Sequence, residues 1–84
     1  MQIAVDVSLY PLTTAYVPPI KDFIERIALH DGLQIEYNSL STQVRGDLDT
    51  VFAALKAEIA ATYRGPDRAV FVLKVVGGRE PRRA

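Results

Sequence analysis

The chain has 84 residues, no cysteine, and ten basic side chains balanced by ten acidic ones. That length supports one domain with a small core. Without cysteine there is no disulfide framework, thiolate metal site or thiol nucleophile, and the single His30 cannot form a metal cluster alone.

A hydrophobic fraction of 49% with 24% charged residues is the composition of a globular chain. The charge balance gives no overall field to attract nucleic acid or anionic lipid, and the only basic cluster is Arg79, Arg82 and Arg83 near the end. No stretch approaches the ~18 apolar residues of a membrane span, and the first residues carry neither a basic region nor a continuous apolar run. The expectation is a cytoplasmic protein with no nucleic-acid partner and no membrane insertion.

Over residues 2–10, Ile3, Val5, Val7 and Leu9 alternate with Ala4, Asp6, Ser8 and Tyr10, the period of a half-buried strand that Pro11 ends. Pro18 and Pro19 suit the first turn of a helix, and Ile20, Phe23, Ile24, Ile27 and Ala28 then recur at helical spacing up to Gly32. Leu33, Ile35 and Tyr37 alternate with Gln34, Glu36 and Asn38 in a second strand. A polar bend at Asn38, Ser39, Leu40 and Ser41 leads into a third through Thr42, Gln43, Val44 and Arg45, so the two should form a hairpin.

Asp47 is placed to cap a second helix, whose apolar stripe reads Leu48, Val51, Phe52, Leu55, Ile59 and Tyr63, with Gly65-Pro66 as its stop. Residues 69–76 are almost continuously apolar and read as a strand covered on both faces. Residues 77–84 are read as a flexible basic tail beyond a single domain of residues 1–76. The order βαββαβ defines an α+β, ferredoxin-like fold: a four-stranded antiparallel sheet with two helices on one face.

Such a sheet leaves Ala4, Asp6, Ser8 and Tyr10 on its other face, with Glu36 and Asn38 facing the same way. That face is either merely solvated or a site that offers donors, acceptors and an aromatic surface together. No phosphate loop, nucleophile elbow or zinc-type histidine pair occurs, and Asp47 and Asp49 suit a helix N-terminus better than catalysis. His30 is expected to interact with the carbonyls ending the first helix, and Tyr63 to join the core. Tyr16 could close over a pocket or lie on the surface. An acylphosphatase-type enzyme would need a phosphate-binding loop after strand 1, and an RNA-recognition module would need an aromatic on strand 3; neither is present.

The strings Ser8-Leu9-Tyr10-Pro11-Leu12, Gly32-Leu33, and Leu40-Ser41-Thr42-Gln43-Val44-Arg45-Gly46-Asp47-Leu48-Asp49 resemble the YkoF-like thiamine/hydroxymethylpyrimidine-binding family, over residues 2–76. The resemblance implies non-covalent binding of thiamine or its hydroxymethylpyrimidine precursor, no reaction and no cofactor, and association through the sheets. The expected role is that of a carrier or sensor in vitamin salvage. Its motif positions carried over are Asp6, Ser8, Tyr10 and Pro11 on one side and Asn38, Ser41 and Thr42 on the other. An aminopyrimidine needs an aromatic platform, an acceptor oxygen and a hydroxyl, which Tyr10, Asp6, Asn38, Ser8 and Thr42 can supply. The competing expectation is an oligomerising structural or regulatory module without a small-molecule ligand. Either way the apolar last strand points to a homodimer or homotetramer.

Overall fold

The computed structural model describes residues 1–79. The element order is β1 (Gln2–Pro11), α1 (Val17–Ala28), β2 (Gln34–Tyr37), β3 (Thr42–Asp47), α2 (Leu48–Tyr63) and β4 (Ala69–Val76). All neighbours in the sheet order β2-β3-β1-β4 pair antiparallel, which is the ferredoxin-like α+β fold. The expected tail falls largely on residues 80–84, outside the described residues.

The strand period determines which side chains meet the helices. Ile3, Val5 and Val7 of β1 are buried with Val44 of β3, against Phe23 and Ile27 of α1 and Val51, Ala54 and Leu55 of α2. Gly46 permits the closest approach in this core. A Cβ there would stand 2.9 Å from Leu33 Cδ2 and 3.0 Å from the Gly32 carbonyl oxygen. Gly32 takes the left-handed φ of +79°, turning the chain from α1 into β2.

The helix boundaries follow their signals. Pro18 and Pro19 lie in the first turn of α1, and the Asp47 carboxylate accepts from the Asp49 N–H at 3.2 Å as the cap of α2. The expected α2 stripe is corrected at two positions. Phe52 and Tyr63 are exposed, because steps of four drift around a helix of 3.6 residues per turn; the buried stripe is Val51, Ala54 and Leu55. Tyr63 instead meets Phe71 edge-on, with ring centroids 5.7 Å apart.

His30 is also corrected. Its Nε2 lies 2.6 Å from Glu58 Oε2, across the helix pair, while only its backbone N–H donates to the Ile27 carbonyl of α1. Arg26 donates to Glu58 Oε1 at 2.8 Å and to the Thr62 hydroxyl at 2.8 Å. Glu58 is thus held by two residues of the α1 end, a polar tie between the helices.

The expected second cover over β4 is absent from the single chain: Val70, Val72 and Val76 are exposed on the face opposite the helices.

Candidate functional site

A concavity lies at the end of the sheet where β1 finishes and the β2–β3 turn rises beside α1. It measures about 300 Å³, at the small end of the range for ligand pockets. Val7 and Leu9 of β1 and Ile20, Phe23 and Ile24 of α1 form an apolar wall, Tyr10 and Tyr16 add aromatic surface, and Asn38, Ser39, Ser41 and Thr42 supply the polar side.

The turn that carries this polar side is held by its own hydrogen bonds. Asn38 Oδ1 accepts from the backbone N–H groups of Leu40 and Ser41 at 2.8 and 3.1 Å, and the Asn38 N–H donates to the Ser41 carbonyl at 3.1 Å. This local bonding is why asparagine favours such a turn. The amide oxygen of Asn38 is therefore engaged in the fold, leaving its amide nitrogen as the group suited to a ligand.

Ser41 and Thr42 are consecutive, so their side chains leave the sheet on opposite faces. The Ser41 hydroxyl donates to Asp6 Oδ1 at 2.6 Å, joined there by Gln43 Nε2 at 3.0 Å, and Gln43 Nε2 also lies 2.9 Å from the Ser41 hydroxyl oxygen. These bonds, first from Ser41 and then from Gln43, lower the pKa of the Asp6 carboxyl. Thr42 lies on the helix side, paired with Val7. At 5% exposure it is the one buried polar residue among the described residues, and no fully buried side-chain oxygen or nitrogen among them lacks a partner.

The structure therefore divides the six expected site residues. Tyr10, Asn38, Ser41 and Thr42 line the cleft. Asp6 and Ser8 stand on the open face of β1, opposite Lys74 and Val72 of β4, and Asp6 reaches the cleft only through Ser41. Tyr16 lines the cleft and is itself 55% exposed. Gln43 was not singled out from the sequence, although its position two residues after Ser41 already places both on one face. Phe23, Ile20 and Ile24 carry no chemical signal that separates a cleft wall from ordinary core.

The chain belongs to the YKOF-related family, whose model matches residues 2–70. Among solved structures, hypothetical protein MJ1052 from Methanocaldococcus jannascii is 28% identical, with a TM-score of 0.83 over 96% of this chain and 84% of that one. Protein SP2199 from Streptococcus pneumoniae is 16% identical, with a TM-score of 0.86 over 94% of this chain and 89% of that one. The Thermotoga maritima protein TM0486, provisionally assigned to thiamine biosynthesis or salvage, is 19% identical, with a TM-score of 0.83 over 93% of this chain and 85% of that one. The last two likenesses are of fold. No curated protein matches the sequence. Among the described residues no helix is long and apolar enough to cross a membrane.

Proposed function

We propose that the chain binds thiamine or its hydroxymethylpyrimidine precursor non-covalently, without transforming it, as a carrier or sensor in vitamin salvage. The observation that carries this reading is Thr42, the one buried polar residue among the described residues, in a cleft walled by Phe23, Ile20 and Ile24 and flanked by Tyr10 and Tyr16. A flat ring with an exocyclic amine and ring-nitrogen acceptors requires apolar and aromatic walls with a few fixed polar groups. Thr42 and the Asn38 amide nitrogen are suited to donate to ring nitrogens, and Ser39, Ser41 and Thr42 oxygens to accept from the amine. Family membership and the thiamine-related assignment of the Thermotoga maritima protein support the same ligand class.

In this reading Asp6 is a positioning residue: with Gln43 it fixes the Ser41 hydroxyl at the edge of the cleft. Nitrogen-15 chemical-shift mapping tests the location. Hydroxymethylpyrimidine should displace the amide signals of Tyr16, Ile20, Ser39, Ser41 and Thr42 while leaving Gln34, Arg45 and Val76 in place. Shifts confined to the latter three would put the ligand on the open sheet face and overturn the cleft assignment.

A further inference from the structure

The walls of the cleft are apolar, aromatic, hydroxyl and amide groups, and no charged side chain among the described residues lines it. Arg26 and Arg68 line a separate concavity of about 130 Å³ together with Asp22 and Asp67, and Arg26 already donates to Glu58. Arg45 and Arg79 lie beside Gln2 and Ala4, at the other end of β1. From Ala4 to Tyr10 the strand runs roughly 20 Å at about 3.3 Å per residue, more than twice the screening length of about 8 Å in physiological salt. The charge tied to the cleft wall is negative. It is the Asp6 carboxylate, which accepts from the Ser41 hydroxyl at 2.6 Å and stands opposite Lys74 on the open face.

Helix α1 begins at the cleft, with Tyr16 and Ile20 among the lining residues. The free N–H groups of a first turn, with the positive end of the helix dipole, ordinarily welcome an anion. Here Pro18 and Pro19 occupy that turn, and proline has no N–H to offer. We infer that the cleft selects against phosphorylated ligands: it takes the free, neutral or cationic form of a pyrimidine alcohol and rejects the phosphate ester, with Pro18 and Pro19 as specificity-determining residues. The inference rests on the ligand class proposed above. A phosphate monoester carries about −1.5 to −2 charges at neutral pH, and drawn into this cleft it would lose water without gaining a cation. At the mouth it would meet Tyr10, Tyr16 and Leu40, all exposed, and the field of Asp6. A thiazolium cation meets the opposite situation, with aromatic rings at the rim and a carboxylate behind the wall.

Calorimetric titration with hydroxymethylpyrimidine and its monophosphate, and with thiamine and thiamine monophosphate, reads the discrimination as a ratio of affinities. In each pair the phosphate ester should bind about tenfold or more weakly than the free alcohol. Pro18→Ala combined with Pro19→Ala restores the missing N–H groups at the start of α1 and should narrow that ratio severalfold. Leu40→Lys adds a cation at the exposed rim without touching α1, so it should narrow the ratio even if the proline variant folds poorly. Phosphate esters that bind the wild type as tightly as the free alcohols would overturn the discrimination and leave the ligand class standing. A ratio unchanged in the folded proline variant would overturn the role of Pro18 and Pro19, and one unchanged in Leu40→Lys would overturn the lack of a cation as its cause. A folded wild type that binds neither alcohol nor ester would overturn the ligand class and this inference with it.

Discussion

The Ser41 hydroxyl donates to the Asp6 carboxylate across 2.6 Å, tying the middle of β1 to the turn that forms the polar side of the cleft. Because Gln43 donates to the same oxygen at 3.0 Å, this acid serves the fold before it serves any ligand.

Asp6→Asn should therefore loosen the turn. The folded Asp6 carboxyl titrates below its ordinary value, so its contribution to stability is present above the unfolded pKa of about 3.9 and is lost as pH falls through the lower folded value. Thermal melts between neutral and acidic pH should show a smaller acid loss in Asp6→Asn than in the wild type. Identical pH profiles would show that these hydrogen bonds leave stability untouched.

Glu58 gives the second pH-dependent tie. Burial alone would raise its carboxyl, but hydrogen bonds from His30 and Arg26 and the Arg26 charge outweigh that and hold its pKa below the ordinary range. The sign is that of a stabilising carboxylate: full effect above the unfolded value of about 4.3, lost as pH falls through the folded one. Glu58→Gln should cost about 1.5–3 kcal/mol at neutral pH, the scale of hydrogen bonds to a charged group, measurable by urea unfolding. It should also flatten the acid limb of the stability curve.

Gly46→Ala should destabilise by about 1–3 kcal/mol, the usual cost of overpacking. The added Cβ would meet the Gly32 carbonyl at 3.0 Å as well as Leu33 Cδ2 at 2.9 Å, and a backbone atom cannot move aside as a side chain can. A melting temperature equal to the wild type would mean that β2 shifts freely.

The fold was legible because each element carries its own period and punctuation: alternation in β1, Pro18-Pro19 in the first turn of α1, Asp47 before α2. The site was legible as a set of residues but not as a place. Ser41 and Thr42 adjoin in sequence and look like one polar patch, yet the pleat sends them to opposite faces, and only the rise of the turn beside α1 brings them to one cleft. The Glu58 tie was hidden for a different reason. Arg26 lies on α1 with His30 just past its end and Glu58 on α2, and no local spacing relates residues separated by a hairpin. The apolar run of β4 was read as covered on both faces, whereas the single chain covers only one; hydrophobicity marks a surface to be buried without saying which chain buries it.

Calorimetric titration of the wild type and of Thr42→Val with thiamine and with hydroxymethylpyrimidine tests the proposed ligand and the cleft together. Saturable binding to the wild type, weakened about tenfold or more in Thr42→Val at a similar melting temperature, is expected if a buried ligand group loses its hydrogen-bond partner at about 1–3 kcal/mol. No binding of either compound by folded wild-type chain would contradict the ligand class. Equal affinity in the two proteins would contradict the role of Thr42.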